Sequence, residues 1–588
     1  MGKNRLAAAV AAFSLLGLSL SGCSQEERPG PEQAATSLAE GLSRLDVTGN
    51  EFAGSTVEAV NGMLEYEVEG MNINPSVTVA KIDEVSSNEA VATLKYVWDV
   101  NASPEDFSYE TTVTLERGPD SGWQTRFRST TVHPDLLPGQ RLVRRASPPP
   151  RADILGSGGS VLMRHWPVWR VGLDKSVLGP QEYASSVFYL SLYLGLDADA
   201  LAARVQTAAP DGFVEAVTVR QDKVSPAFET DIATIPGAAA LAERRVLAPS
   251  PGFAAGLLGS VGPATEEMAA DGPLAEGDLV GLSGLQGEYD SQLRGSDAVT
   301  VRILNADNSA SAPLFEAPSE PGTALQTTLD QGFQSRAEAA LADSPGASLV
   351  AVQPSTGNVL AVAGETATDG TQAALLGEYS LGTGFEPVNV LARLRSGGSG
   401  AADDAALSAA AESLGLGITS GLGPRAFYGA APTSSDGAQQ AGSSTGEVIA
   451  SPLAAAVAAA TAARGELVSP VLVLNAEEPG SDGAGTEQAP PSGSDGASAI
   501  SSEEAKALRS ALRSNVAEAV AGDAVGVLQA VSGDPVLATA GTAGTAGEKA
   551  TYGWVTAIQG DLALAVFVQG SSADSAAVAA AFLESLAG

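Results

Sequence analysis

The chain has 588 residues, enough for about four domains, and its 44% apolar content with 66 glycines fits folded, loop-rich units rather than a disordered polymer. A formal net charge of −37 argues against nucleic acid as a partner, because phosphate binding needs clustered Lys and Arg, and it keeps the surface solvated. Two His and one Cys provide no residue set for a zinc or iron ion, so neither a metal nor a cofactor is expected.

At the N-terminus, Lys3 and Arg5 precede an apolar run from Leu6 to Leu20, followed by Ser21-Gly22-Cys23 and a polar tract, Ser24 to Gly30. That order is the charged, apolar and cleavage regions of an export signal, with an apolar part too short to span a bilayer comfortably. Small residues directly before Cys23 match the bacterial lipoprotein signal. This predicts a signal over 1–22, lipidation of Cys23, a tether over 23–30, and a chain lipid-anchored to the cell membrane on its extracytoplasmic face. No later stretch reaches the roughly 18 uninterrupted apolar residues of a spanning helix.

A first unit is predicted over 31–147. Ala34 to Leu45 has helical spacing, and Val77–Val79, Ala90–Trp98, Tyr109–Leu115 and Trp123–Phe127 read as strands. His133, before Pro134, reads as a structural turn residue rather than a proton-transfer group. Pro148-Pro149-Pro150 is a stiff spacer opening a second unit, 148–318. There Gly281-x-Ser283-Gly284 lacks the second glycine of a hydrolase elbow and reads as a turn. A third unit covers 325–588. Gln331–Leu341 is predicted as a helix with Phe333, Ala337 and Leu341 on one face, and Ala347–Ala363 as a hairpin around Pro354-Ser355-Thr356-Gly357. Helices are also expected over Leu391–Leu394, Ala405–Leu414 and Ser502–Ala521, and strands over Tyr552–Ile558 and Leu562–Gln569. Residues 477–498, mostly Gly, Ser, Pro, Asp and Glu, read as a flexible insertion.

Several stretches resemble class B penicillin-binding proteins of the methicillin-resistance type. Val132-His133-Pro134-Asp135-Leu136 with Gly139 is similar to the exit of their NTF2-like N-terminal domain. Arg151-Ala152-Asp153-Ile154 looks like a worn form of the opening of their dimerisation or pedestal domain. The run from Gly281 through Ser283-Gly284-Leu285-Gln286, Tyr289-Asp290 and Leu293-Arg294-Gly295 matches a long motif there, with only Gln286 standing where the family has Glu. Thr328-Leu329-Asp330, Tyr379-x-x-Gly382, Ser451-Pro452-Leu453 and Trp554 match points along the transpeptidase domain. The resemblance implies a multidomain α+β protein. Its parts are an NTF2-like α+β domain, an extended pedestal, and a penicillin-recognising α/β domain with a central antiparallel sheet and flanking helices.

In that family a Ser-x-x-Lys supplies nucleophile and base, a Ser-x-Asn relays protons, and a Lys-Thr-Gly strand presents a cation to the substrate carboxylate. On a helix, positions i and i+3 share a face, so the amine lies against the hydroxyl it deprotonates. Here the first pair becomes Thr383 and Glu386, the second motif falls on Ala402 and Asp404, and the third on Thr542-Ala543-Gly544. None of the seven Lys follows a Ser by three residues or begins Lys-Thr-Gly. Thr383 and Glu386 are predicted to form a capping box, and a carboxylate near its usual pKa of about 4 is a poor base for a hydroxyl. The expectation is a catalytically degenerate wall-synthesis lipoprotein, a scaffold or wall-peptide binder. Its partners would be the peptidoglycan stem peptide or other wall-synthesis proteins. Two alternatives stand beside it: an active D,D-transpeptidase acting through Thr383 and binding penicillin, and a general surface docking lipoprotein.

Overall fold

A computed structural model describes residues 30–587 except 102–104, 120–121, 270–273, 275–276, 365–371, 382–384, 398–401, 419–420, 431–447, 477–497 and 545–550. The export signal and Cys23 therefore lie outside the described residues, as does nearly all of the 477–498 insertion. The chain divides into two compact units.

The first unit takes the described residues to 100, then 105–145 and 300–316. Strands β1 (Ser76–Ser86), β2 (Glu89–Trp98), β3 (Phe107–Arg117) and β4 (Trp123–Arg126) form an antiparallel meander. Alternation in β2 sends Ala90, Ala92, Leu94, Tyr96 and Trp98 inward. Helix α1 (Glu32–Arg44) covers β1 with Ala35, Leu38, Ala39 and Leu42. Helix α2 (Val57–Val68), absent from the sequence expectations, is capped by Thr56, whose hydroxyl accepts from Ala59 N–H. Inside, Tyr96 and Tyr109 stack at 5.2 Å, and the Tyr109 hydroxyl accepts from Trp98 Nε1 (3.0 Å) while donating to the Val132 carbonyl (2.9 Å). His133 is buried edge-on to Tyr109 at 4.5 Å. Its Nδ1 accepts from Asp135 N–H (3.2 Å), and burial pushes its pKa down, so it is a neutral turn group. Residues 300–304 lie between 315–316 and 141–145 in a second, small sheet, so this unit also takes in chain from within the predicted second region.

The second unit takes Asn101, 146–299 and 317–587. Its first part is a sheet around the 14-residue strand β6 (Val161–Asp174), with β5 (Ile154–Leu155), β7 (Phe213–Arg220) and β8 (Ala238–Leu247) all antiparallel to it. The two motifs singled out in sequence meet here. Buried Arg151 donates to Gln286 Oε1 (2.5 Å), the Gln286 carbonyl (2.9 Å) and Asp290 Oδ1 (2.7 Å). That same carboxylate oxygen accepts from Gly281 N–H (2.6 Å). A Cβ at Gly281 would lie 1.8 Å from the Gln286 carbonyl, so the turn closes only on glycine. Gly281-x-Ser283-Gly284 is thus a packed turn.

The rest of this unit is built on seven strands: β9 (Ser348–Val352), β10 (Val359–Gly364), β11 (Tyr379–Ser380), β12 (Ile449–Ala450), β13 (Leu537–Gly544), β14 (Thr551–Gln559) and β15 (Leu562–Gln569), in the order β10-β9-β15-β14-β13-β11-β12. Both faces are buried. Leu349, Ala351, Val555, Leu564 and Val566 face helices α3 (Gln331–Leu341) and α8 (Ser572–Ala587). Val350, Val352, Trp554, Ala565 and Phe567 face α6 (Pro452–Arg464). Between them in the chain lie α4 (Glu386–Arg395), α5 (Asp404–Ser413) and α7 (Ser502–Ala517). The Ala-rich run of α6 is buried on every side from Pro452 to Ala462, as small side chains permit. Ser451 caps it and Glu504 forms a capping box with Ser501 on α7. Among the described residues no helix is long and apolar enough to cross a membrane.

Candidate functional site

The site predicted from sequence lies where β11 leads into α4, beside the end of β13. The β9–β10 hairpin is present, closed by hydrogen bonds from Gln353 N–H to the Asn358 carbonyl and from Gly357 N–H to the Gln353 carbonyl (both 2.8 Å). After it, Tyr379 is buried between Tyr552 (5.0 Å) and Phe567 (4.8 Å), and burial, then the neighbouring Tyr552, pushes its hydroxyl up to about 12. A Tyr held neutral this way is a packing and hydrogen-bonding group rather than a proton carrier.

Thr383 lies outside the described residues. Glu386 does not sit where a capping box needs it. The helix begins at Glu386 itself, with extended Phe385 (φ −67°, ψ 97°) as its N-cap and Pro387 in the first turn. The box requires Glu three residues into the helix; here Glu386 is the first residue, and its carboxylate reaches along α4 to Arg393 (3.3 Å). The apolar grip of Phe385 on Trp554, ring to ring at 5.6 Å, fixes this start. The carboxylate also faces the positive end of the helix dipole.

The third motif is brought beside β11, the strand upstream of the first. In the β13–β14 ladder, Thr542 stands opposite Gly553, Ala543 opposite Tyr552 and Gly544 opposite Thr551. On the other side of β13, Gly544 stands opposite Ser380 of β11. Thr542 is exposed, and the position brings no cation to the strand. Upstream, Gly541 faces Trp554, and a Cβ there would come within 2.6 Å of the indole. The Trp554 Nε1 is buried without a hydrogen-bond partner among the described residues.

The second motif is less directly engaged. Asp403 caps α5 by accepting from Ala406 N–H (2.8 Å), so Asp404 is the first helical residue and Ala402 packs partly against the core. Helix α5 packs on α4, yet among the described residues no hydrogen bond joins Asp404 to Ser380, Glu386 or Gly544.

Sequence reasoning missed Arg395, at the last turn of α4. Its guanidinium reaches Glu504 (2.9 Å) and the Ser413 hydroxyl (2.8 Å), tying α4, α5 and α7 together. Burial alone raises Glu504, but the Arg395 guanidinium and the Ser501 N–H hold it below the usual carboxylate value. Its partners lie 18 and 109 residues away, so no local pattern points to it. The described lysines are committed elsewhere or lack contact with the site. Lys175 is buried on the Val205 and Ala208 carbonyls, and Lys506 is exposed on α7 without an ion pair among the described residues. Lys549 lies outside the described residues, and no group of three or more metal-binding side chains occurs among those described.

Residues 146–327 match the family model of the Penicillin-binding Protein dimerisation domain. The fold is similar to that of a chain in the solved complex between Penicillin-Binding Protein (PBP2) and MreC from Helicobacter pylori, with a TM-score of 0.50 and 16% identity over 76% of this chain and 99% of that one. No curated protein sequence matches the chain. The molecule is thus a multidomain α+β protein resembling PBP2, with a dimerisation-domain region.

Proposed function

We propose that this protein is a cell-envelope member of the penicillin-binding protein family that works in peptidoglycan synthesis without catalysing it. One observation carries the reading: Gly544 against Ser380 keeps the strand-to-helix junction at which the family works, while the Lys positions of the first and third motifs hold Glu386 and Thr542. An acyl transfer through a hydroxyl needs a base, and binding a terminal carboxylate in that manner needs a cation. The described part of the junction offers neither. Glu386 is ion-paired to Arg393, and Arg395 to Glu504.

In this reading the sheet edge beside β11 holds stem peptide through main-chain donors, which require no particular side chain, or the whole chain acts as a scaffold for other wall-synthesis proteins. PBP2 of Helicobacter pylori has been solved in complex with MreC; partners of that wall-synthesis class are the ones proposed here. Lipidation of Cys23 would hold the chain at the outer face of the cell membrane.

Co-sedimentation with purified peptidoglycan, run beside a turnover assay on a stem-peptide thioester, tests the proposal. Saturable co-sedimentation displaced by free stem peptide, or capture of wall-synthesis proteins without it, with no turnover in either case, is expected. Turnover abolished by Thr383→Ala would overturn the reading in favour of an enzyme.

A further inference from the structure

Strand β8 is an edge strand of ten residues, paired with β6 without a break from Arg164 opposite Leu247 to Leu173 opposite Ala238. Such an edge leaves every second N–H and C=O pointing away from the sheet. Strand β7, on the far side of β6, has its free edge blunted: Arg204 donates to the Glu215 carbonyl (2.9 Å) and the Ala216 carbonyl (3.5 Å). Strand β8 has no such guard. Ala238 N–H goes to Ile235, and beyond it no main-chain group of β8 bonds to any described residue outside β6. Leu241, Ala242, Glu243 and Arg244 are all exposed.

The charges along this edge select what can join it. Glu243 is held from within the sheet by Arg170 and Arg245 (3.4 Å each), and Arg245 is also paired with Glu215 (3.0 Å). Arg244 has no ion pair among the described residues, in a chain whose net charge is −37. A second copy pairing about a twofold axis centred on Glu243 or Arg244 would set like charges directly opposite, which is unfavourable. An anionic membrane would meet a surface where Glu215 and Glu243 interrupt the arginines, leaving little field to attract it.

We propose that β8 is a strand-addition site for an extended acidic segment of a partner protein. The outward main-chain groups of Leu241 to Arg245 supply the ladder, an Asp or Glu on the added strand stands opposite Arg244, and an apolar residue stands opposite Leu241. Backbone bonding gives affinity and the alternating side chains give selectivity.

The test uses the full chain with two fluorescein-labelled decapeptides, one alternating Val with Asp and one alternating Val with Lys, and with phosphatidylglycerol vesicles as a third arm. Anisotropy should show the Val/Asp peptide binding at least about tenfold more tightly than its Lys counterpart. Amide exchange should slow within Leu241–Arg245 on binding. Arg244→Glu changes one exposed side chain and should reverse the peptide preference, while Ala242→Pro should abolish binding of both peptides. Equal binding of the two peptides, protection elsewhere in the chain, or Arg244-dependent binding to vesicles alone would overturn the proposal.

Discussion

Gly544 stands directly opposite Ser380 where β13 meets β11. The last residue of one predicted motif thereby lies against the strand that leads into the other, from segments more than 160 residues apart in the chain. Only the folded sheet brings them together. The junction is framed by aromatic packing, Tyr379 on Tyr552 and Phe385 on Trp554, and Glu386 is paired with Arg393 and Arg395 with Glu504. Shape is kept here by packed aromatic rings.

Gly541 is one of the residues that keeps it. The indole of Trp554 fills the space a Cβ would need. Gly541→Val should destabilise the unit by about 1–3 kcal/mol, as overpacked cores do. Urea unfolding monitored by tryptophan fluorescence should show a lowered midpoint with an unchanged slope.

The Arg151–Asp290 pair holds the dimerisation-domain motifs together, with the arginine side chain 3% and the aspartate 21% exposed. Asp290→Ala removes the carboxylate and leaves a buried guanidinium bonded only to Gln286, at an expected loss of about 3–5 kcal/mol. Truncating the exposed partner of a surface pair, as in Asp83→Ala opposite Lys81, should cost less than about 1 kcal/mol on the same assay.

Burial raises the Glu338 carboxyl above its usual 4.5, against opposing hydrogen bonds from Ala254 N–H and Gln334. A group raised in the folded state is more protonated there than in the unfolded chain, so its contribution to stability is fully present below about pH 4.5 and is lost as pH rises through the folded value. Glu338→Gln keeps an acceptor for Ala254 and removes the titration. Stability measured between pH 4 and 7 should fall less steeply in this variant than in the wild type.

How far the fold can be read from residues alone differs from element to element. Helix α3 begins and ends where its spacing predicts, because Asp330 caps it and Ala337 points inward. The β9–β10 hairpin is equally plain, since both strands are apolar and the turn carries Pro, Ser, Thr and Gly. Helix α2 was also legible in principle: Val60, Leu64 and Val68 recur every four residues behind the Thr56 cap. Strands β6 and β8 were not. Strand β6 carries arginines stacked on aromatic rings, such as Arg164 over Trp166 at 4.1 Å, and β8 carries Glu243 and Arg245 in ion pairs, and these charges blur the alternation that marks a half-buried strand. At the site, the Thr-x-x-Glu spacing predicts a cap, but Phe385 seats on Trp554 and starts the helix two residues later than a Thr383 cap requires. Long-range packing decided what a local motif could not.

The most direct measurement is the intact mass of the purified chain after prolonged incubation with excess benzylpenicillin. With Glu386 in place of Lys three residues after Thr383 and no Lys or Arg in β13, the proposed function predicts that the mass stays unchanged, in wild type and in Thr383→Ala alike. A mass increase of one penicilloyl group in the wild type, absent from Thr383→Ala, would contradict the account and make this protein an acylating enzyme.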